Sequence, residues 1–335
     1  MIETKEKIAM FHFLKKNPPK PSIVFDTDWR FASERQNILF KKINGYENNL
    51  TKDRILSDYK FTNVYRASDR TSQYLISNVI YNNNFSERDL LFRILLFKIF
   101  NKIETWRSLE FELGTITYES FNYEKYDAVL TDLLDQKKSI YSAAYIMASA
   151  KSFYGQNRKH KNHLRLIENM IKDDLHLRLK DSKSMEEGYN LLLKYPSIGT
   201  FLAYQFVTDI NYSELTSFDE MDFVKAGPGA IEGIDKCFYD LGSYSREDII
   251  RYTTENQEYH FDRLELDFKT LYGRKLQLID CQNIFCEVAK YARVAHPEFN
   301  SSNGRIRIKQ KYKSKNKPLD YFYPPKWDIN HLIEK

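Results

Sequence analysis

The chain of 335 residues is 42% hydrophobic and 29% charged, the ordinary balance of a folded globular protein. Its formal net charge of +5 has the sign expected of a protein that approaches phosphates, but it is too small for a histone-like polybasic binder. Aromatic residues reach 15%, which suits protein cores, interfaces and base-stacking pockets equally.

Helical periodicity and the small numbers of Gly and Pro, 11 and 9, predict an all-α body with little β-structure. We expect an irregular lead-in at residues 1–24, a helical body at 25–300 with a hairpin at 194–206, and a basic segment at 301–335 packed on the body or on DNA. Strand content is expected only in that basic segment. The predicted helices cover residues 30–44, 51–58, 61–82, 86–100, 124–135, 139–153, 160–178, 184–194, 199–210, 229–241, 246–253, 257–271 and 281–294.

Residues 61–80 are predicted to form an amphipathic helix. Its packing stripe recurs at steps of three or four and consists of Val64, Ser68, Thr71, Leu75 and Val79. The opposite side carries Asn63, Arg66, Arg70 and Gln73, with Asp69 at its edge. Amide and guanidinium groups hydrogen-bond well to base edges, so Asn63, Arg66 and Asp69 are candidates for a base pocket. The alternative is a solvated helix face.

The most apolar stretch is residues 90–100. It is too short to span a bilayer and contains Arg93 and Lys98, so we expect a buried helix and no membrane association. The N-terminus lacks the apolar core of a secretory signal, which favours a cytoplasmic location.

Metal binding is not expected. His160 and His163 are interpreted as a charged surface pair rather than a ligand set. Three cysteines fit no zinc motif, and their odd number argues against a disulfide framework: Cys237, Cys281 and Cys286.

Residues 194–206, KYPSIGTFLAYQF, predict two helices joined by a tight turn. Gly199 is expected to supply the backbone freedom of the turn and room for a phosphate, while the next helix directs its N–H groups and positive dipole end at that phosphate. The expected DNA-binding residues are Pro196, Ser197, Ile198, Gly199 and Thr200. A chance Pro-x-x-Gly between two helices is the alternative.

Residues 218–230, FDEMDFVKAGPGA, place acidic residues before a Gly-Pro-Gly turn. Pro228 is well placed to begin a helix, and the neighbouring backbone amides make Lys225, Gly227 and Gly229 candidates for DNA binding. Asp222 and, as second choice, Asp219 are the candidate catalytic carboxylates. Helix N-capping is the alternative for both.

Residues 281–294 predict a second helix with a mixed polar face. Its buried stripe is Ile284, Phe285, Val288, Ala292 and Ala295. The other side carries Gln282, Asn283, Glu287, Lys290 and Arg293, again with two amides among charges. We assign Gln282, Asn283, Glu287 and Lys290 to the base pocket, although Glu287 and Lys290 are also spaced for a surface ion pair.

Residues 305–317, RIRIKQKYKSKNK, interleave basic with apolar residues, as in a strand or arm laid along a nucleic-acid backbone. Arg305, Arg307 and Lys309 are therefore expected to contact DNA. A solvated tail is the alternative.

Four blocks in this order resemble the alpha-glutamyl/putrescinyl thymine pyrophosphorylase family: residues 61–70 (FTNVYRASDR), 195–199 (YPSIG), 222–230 (DFVKAGPGA) and 282–293 (QNIFCEVAKYAR). The resemblance covers roughly residues 25–325. It implies a helix-hairpin-helix, DNA glycosylase-like fold associated with hypermodified pyrimidines in phage DNA. In glycosylases of that kind a catalytic aspartate follows the hairpin, the position that Asp222 matches best. Thr200 stands where lyase-type relatives have a catalytic lysine, and no iron–sulfur cysteine cluster is present, which puts a Schiff-base mechanism in doubt.

From these features we expect a monofunctional DNA glycosylase. It would flip out a bulky modified pyrimidine, such as glucosylated hydroxymethylcytosine, and excise it from phage DNA as anti-phage defence. Asp222 would stabilise positive charge on the sugar. The expected partner is double-stranded DNA with modified pyrimidines, with no obligate protein partner.

Two alternatives remain open. The first is a base-hypermodification enzyme that displaces pyrophosphate from an activated 5-hydroxymethyl pyrimidine in DNA, with Arg66 and Lys290 neutralising the leaving group. The second is a non-catalytic nucleic-acid-binding protein. No cofactor is expected, and no Gly-x-x-x-x-Gly-Lys loop is present, which argues against ATP use.

Overall fold

A computed structural model describes residues 17–299, 306–313 and 319–333. The protein is mostly helical, at 58%, with a two-stranded sheet, so the all-α prediction is confirmed. The chain divides into two compact units. The first unit contains residues 1–68 and 224–320, and the second contains residues 69–223 and 321–335. In the described part, no helix is long and apolar enough to cross a membrane.

The first unit is built from six of the helices described below and a short sheet. The helices are α1 (Ile23–Ile43), α2 (Arg54–Asp58), α12 (Pro228–Cys237), α13 (Arg246–Glu255), α14 (Gln257–Arg263) and α15 (Leu278–Ala295). Strands β1 (Lys20–Pro21) and β2 (Phe238–Asp240) pair antiparallel, and 3₁₀ turns occur at Arg66–Ser68 and Pro297–Phe299.

Helices α12 and α15 cross at very close range. A Cβ at Gly233 would collide with the backbone carbonyl of Phe285, and one at Gly229 would collide with Sγ of Cys286. Pro228 begins α12, as predicted, because its missing N–H lies among the unbonded groups of the first turn. The two glycines, one helical turn apart, therefore set the centre of this unit.

The second unit contains the remaining helices. They are α3 (Arg70–Tyr74), which continues as a π-helix at Leu75–Ile80, then α4 (Glu87–Phe100), α5 (Ile103–Leu113), α6 (Tyr123–Asp135), α7 (Lys151–Tyr154), α8 (Lys159–Lys172), α9 (Leu175–Asp181), α10 (Met185–Leu192) and α11 (Thr200–Ile210), with 3₁₀ turns at Pro325–Trp327 and Asn330–Leu332. Helix α4 forms the centre. Arg93 is fully buried in it and donates to the carbonyls of Val79 and Ile116 at 2.8 and 2.7 Å.

The helix predicted at 61–82 is wrong in its first third. Residues before Arg66 are irregular, because distant side chains satisfy their backbone donors in place of the carbonyls four residues back. Glu287 accepts from the backbone N–H of Thr62 at 3.0 Å, and Asp280 accepts from that of Arg66 at 2.9 Å. Asn63 and Arg66 thus do not share a helix face.

Three further helix predictions are wrong. Residues 139–150 are not helical, because Tyr145 and Ala150 have φ of +57° and +54°. The helix predicted at 160–178 is broken where Asp174 has φ of +50°, and the one predicted at 257–271 ends at Arg263. Helix α5 was not predicted. The strand expected in the basic segment is reduced, in its described part, to an isolated bridge between Tyr59 and Lys311.

Candidate nucleic-acid interface

In the first unit, helix α15 holds the irregular segment 61–68 against its polar face. Asn283 Nδ2 donates to the carbonyl of Asn63 at 2.9 Å and to Oγ1 of Thr62 at 3.1 Å. Asn63 Nδ2 donates in turn to the carbonyl of Ser68 at 2.6 Å. These two predicted pocket amides therefore lie together, and their hydrogen bonds fix the backbone of the segment.

The charged residues of this face also contact the segment. Glu287 is buried and forms an ion pair with Lys290 at 2.6 Å. Lys290 remains about one quarter exposed, at 27%, and its Nζ lies 5.4 Å from the ring centre of Phe61. The spacing correctly indicated the ion pair, but burial makes Glu287 part of the core rather than of a solvated face.

Two more pocket candidates are buried beside these residues. Arg66 is 4% exposed and Gln282 is 4% exposed. Asp280, which the sequence reasoning missed, joins the capping box of α15 by accepting from the backbone N–H of Gln277 at 3.0 Å. Its pattern, a polar residue and then a carboxylate three positions later before an apolar run, was visible in the sequence.

The described basic arm, residues 306–313, pairs with residues 58–60 of the same unit. The backbone N–H of Lys60 donates to the carbonyl of Gln310 at 3.0 Å, and that of Tyr312 donates to the carbonyl of Asp58 at 2.9 Å. Arg307 and Lys309 are exposed, as a DNA-contacting arm requires. Arg305 lies outside the described residues.

A buried ion network connects the arm to helix α12. Arg293 contacts the carboxylate of Glu232 with two nitrogens, the closest contact being 3.0 Å, and its Nη1 lies 3.5 Å from the carbonyl of Arg307. Lys236 adds a buried ion pair to Glu232 at 3.4 Å, and burial lowers the pKa of this lysine. The sequence reasoning missed Glu232 and Lys236, although their spacing of four residues on a predicted helix was a signal.

The loop before α12 makes a hydrogen bond and a helix cap within the first unit. The backbone N–H of Ala226 donates to Glu247 at 3.1 Å, and Gly227 is the N-cap residue of α12. The missing side chain of Gly229 makes room for Cys286, so it serves helix packing rather than phosphate approach. Lys225 is half-buried on this loop.

In the second unit, the hairpin joins α10 to α11 as predicted. Gly199 is the N-cap residue with φ of −82°, a backbone conformation that any residue adopts, and Ser197 instead has φ of +66°. The prediction that Gly199 supplies the backbone freedom is wrong. Apart from the two adjacent residues, no atom of the described part of the chain lies within 4 Å of a Cβ placed on Gly199, and no described side chain caps α11 there. Gly199 and Thr200 are exposed, whereas Ile198 is buried and Pro196 is half-buried.

The candidate carboxylates lie on an exposed turn of the second unit. Asp219 accepts from the backbone N–H of Met221 at 2.8 Å, and the N–H of Asp222 donates to the carbonyl of Asp219 at 3.2 Å. Both side chains are exposed. Asp69, also in this unit, is the N-cap residue of α3, without a side-chain cap bond.

The surface pair predicted at His160 and His163 is wrong, because both side chains are buried. His160 contacts Asp127 at 2.8 Å, and His163 contacts the carbonyl of Ala148 at 2.7 Å. Burial lowers the pKa of both rings, that of His163 to about 4, so His163 is neutral at pH 7. Within residues 17–299, 306–313 and 319–333, no group of three or more His, Cys, Asp or Glu side chains is placed to hold a metal ion.

Comparison with protein families matches residues 22–301 to the helical domain of 5-hmdU DNA kinase. The chain belongs to this helical-domain family. It is also 28% identical, over 343 aligned positions, to a 5-hmdU DNA kinase of Bacillus phage SP10. That alignment covers 96% of this chain and 53% of the relative, so the chain spans about half the length of the relative. No solved structure matches it.

The family match corrects the functional prediction. The resemblance to base-hypermodification enzymes is supported, but the pyrophosphorylase family is not the one that matches. The predictions of a monofunctional DNA glycosylase, of a hydrolase and of anti-phage defence are wrong, because the matching family is named for a kinase, which transfers a group and hydrolyses no glycosidic bond. The predicted role of Asp222 and Asp219, stabilising a sugar cation, belongs to glycosidic bond hydrolysis and has no place in a kinase reaction.

Proposed function

We propose that this chain acts in the hypermodification of DNA pyrimidines, on DNA that contains 5-hydroxymethyl-2′-deoxyuridine. The observation that carries the proposal is the family match across residues 22–301. The exposed basic arm supports it, since an enzyme that modifies bases within DNA must hold the phosphate backbone around them.

The proposed reaction is phosphoryl transfer from a nucleoside triphosphate, which this chain would have to hold without a Gly-x-x-x-x-Gly-Lys loop. The hydroxymethyl oxygen attacks the terminal phosphorus of a nucleoside triphosphate, an O–P bond forms, and the bond between that phosphorus and the departing nucleoside diphosphate breaks. The hydroxyl proton passes to water or to a base, and the glycosidic bond stays intact. Such transfer depends mainly on positioning and on neutralising phosphate charge.

We assign the acceptor side of this reaction to the polar face of α15. Lys290 supplies a partly exposed ammonium group, and its contact with Glu287 holds it in place. Gln282 and Arg66 lie buried along the same part of the first unit. These groups suit an uncharged hydroxymethyl pyrimidine that gains phosphate charge during the reaction.

In the second unit, we assign backbone binding to the turn at residues 196–200. Helix α11 has no side-chain cap, so its first backbone N–H groups and its positive dipole end suit a phosphate oxygen. The open space at Gly199 admits such a group.

The test is mass spectrometry of nucleosides from duplex DNA with one 5-hydroxymethyl-2′-deoxyuridine, incubated with the protein and a nucleoside triphosphate labelled on its terminal phosphate. We expect an intact nucleoside that is heavier by phosphate and carries the label. A matched thymidine duplex, which lacks the acceptor hydroxyl, stays unlabelled.

Binding of the same two duplexes provides the second measurement. A recognised hydroxymethyl group gains one hydrogen bond, so we expect a preference of roughly tenfold for the modified duplex, the equivalent of about 1.4 kcal/mol. Equal affinity for both duplexes together with no labelled nucleoside contradicts the proposal.

A further inference from the structure

The basic arm, residues 306–313, has its cations at alternate positions. Arg307, Lys309, Lys311 and Lys313 are all exposed, whereas Ile308 is buried at 9% exposure. Extended chain advances about 3.3 Å per residue, so alternate side chains recur roughly every 6.6 Å. That repeat is of the same order as the distance between neighbouring phosphates along one nucleic-acid strand.

The arm is ordered by the first unit itself. Its two backbone hydrogen bonds to residues 58–60 and the buried Ile308 hold it along its length. At its far end Lys42 Nζ donates to the hydroxyl of Tyr312 at 3.0 Å and lies 4.8 Å from the centre of its ring. A ligand therefore does not have to supply the free energy of ordering this backbone.

Positive charge is concentrated around the arm. Lys42 and Lys60 border the four cations of the arm. Asp58 contributes a carboxylate, whose Oδ2 lies 3.9 Å from Nζ of Lys311. Six cations and one carboxylate carry the same net charge as the formal +5 of the whole chain. Like charges held this close repel one another, and a polyanion relieves that repulsion.

We propose that the basic arm binds the phosphate backbone of duplex DNA, with successive phosphates contacted by Arg307, Lys309, Lys311 and Lys313. This inference rests on the proposed function and names the surface that holds its substrate. Contacts of this kind read no bases, so the arm binds thymidine DNA and hydroxymethyl-deoxyuridine DNA equally. Lys311 contributes least, because its Nζ lies 4.1 Å from the ring centre of Tyr59 and is shared with Asp58.

The experiment measures the affinity of the full chain for a fluorescent duplex at several KCl concentrations. Each lysine that neutralises a duplex phosphate adds about 0.9 to the slope of log affinity against log salt. Lys309→Ala and Lys313→Ala are each expected to reduce the magnitude of the slope by about 0.9, and the double variant by about twice as much.

The matched control is Lys269→Ala, which removes an exposed lysine of the same unit that is not part of the arm, and it is expected to leave the slope unchanged. Urea unfolding is measured for each variant, and a midpoint equal to that of the wild type establishes that the arm substitutions leave the fold intact. Slopes of Lys309→Ala and Lys313→Ala equal to that of the wild type overturn the inference. A normal loss of slope, combined with equal affinity for the two duplexes and no labelled nucleoside, instead refutes the proposed function and leaves the arm as a DNA-binding surface.

Discussion

Two helix N-termini of this protein differ in their capping: one is capped by a carboxylate of its own chain and the other has no side-chain cap. Helix α15 in the first unit begins with a capping box, in which Asp280 accepts from the backbone N–H of Gln277. Helix α11 in the second unit begins at Gly199, with no side-chain cap and open space where a Cβ would stand. The positive end of α15 is already occupied by a carboxylate of its own chain, whereas that of α11 still suits an anion from outside.

The largest expected effect comes from opening the closed N-terminus. Asp280→Ala removes both the helix cap and the acceptor for the backbone N–H of Arg66, so buried donors lose their partner. We expect the free energy of unfolding to fall by about 2–4 kcal/mol, from the usual costs of a lost cap and a buried unpaired donor. Urea unfolding measures it. A loss below that of an ordinary surface substitution would contradict the role given to Asp280.

The uncapped N-terminus of α11 is tested by introducing a side-chain cap. Gly199→Asp places a carboxylate where we propose a phosphate, and aspartate is a favourable N-cap residue, so the protein should fold at least as well. Repulsion of the phosphate should weaken duplex binding by roughly tenfold or more, about 1.4 kcal/mol.

Gly199→Asn is the matched control, because asparagine caps a helix equally well and has nearly the same shape without the charge. It should retain most of the affinity that Gly199→Asp loses. Equal duplex affinity of the two variants, measured by fluorescence anisotropy at low salt, would contradict the proposal that this turn binds a phosphate.

A smaller effect is expected at Asp28, a carboxylic acid on α1. It is buried, its Oδ1 has no hydrogen-bond partner among the described residues, and burial raises its pKa well above the usual range. Ionisation of this group is therefore less favourable in the folded protein than in the unfolded chain, where it occurs near pH 4. Its contribution to stability is present below the unfolded pKa and is lost as the pH rises through the folded pKa.

Asp28→Asn carries no titrating group at this position. Its free energy of unfolding, relative to the wild type, should therefore increase from pH 4 to pH 8. Urea unfolding at a series of pH values measures the difference. A difference that stays constant over this range would show that Asp28 ionises in the folded protein as it does in the unfolded chain.

The comparison also shows which features were predictable from sequence. The hairpin at 194–206 was found because its turn and both helices are local, and α15 was found because its apolar stripe is regular. The helix at 61–82 failed because its backbone donors bond to Asp280 and Glu287, more than 200 residues away. A helical pattern records the spacing of side chains, and it contains no information about partners so distant.

The burial of the polar face of α15 could not be predicted for the same reason, because it depends on residues distant in sequence. Gln282 and Glu287 stand opposite the apolar stripe, so periodicity placed them in a pocket or in solvent. In the structure both are buried, and Glu287 accepts a hydrogen bond from the backbone of Thr62. The arm was predictable in charge but not in its anchoring, since the pairing with residues 58–60 joins two weakly patterned stretches.

The division of the chain has a consequence for synthesis. The first unit is assembled from residues 1–68 and 224–320, with 155 residues of the second between them. A ribosome releases the long middle stretch before it has made α12 and α15, so most of the second unit can collapse while α1 still lacks its partners. Contacts of such wide sequence separation form slowly. The apolar side of α1 therefore stays exposed longest in the nascent chain, and aggregation during expression should begin at this helix.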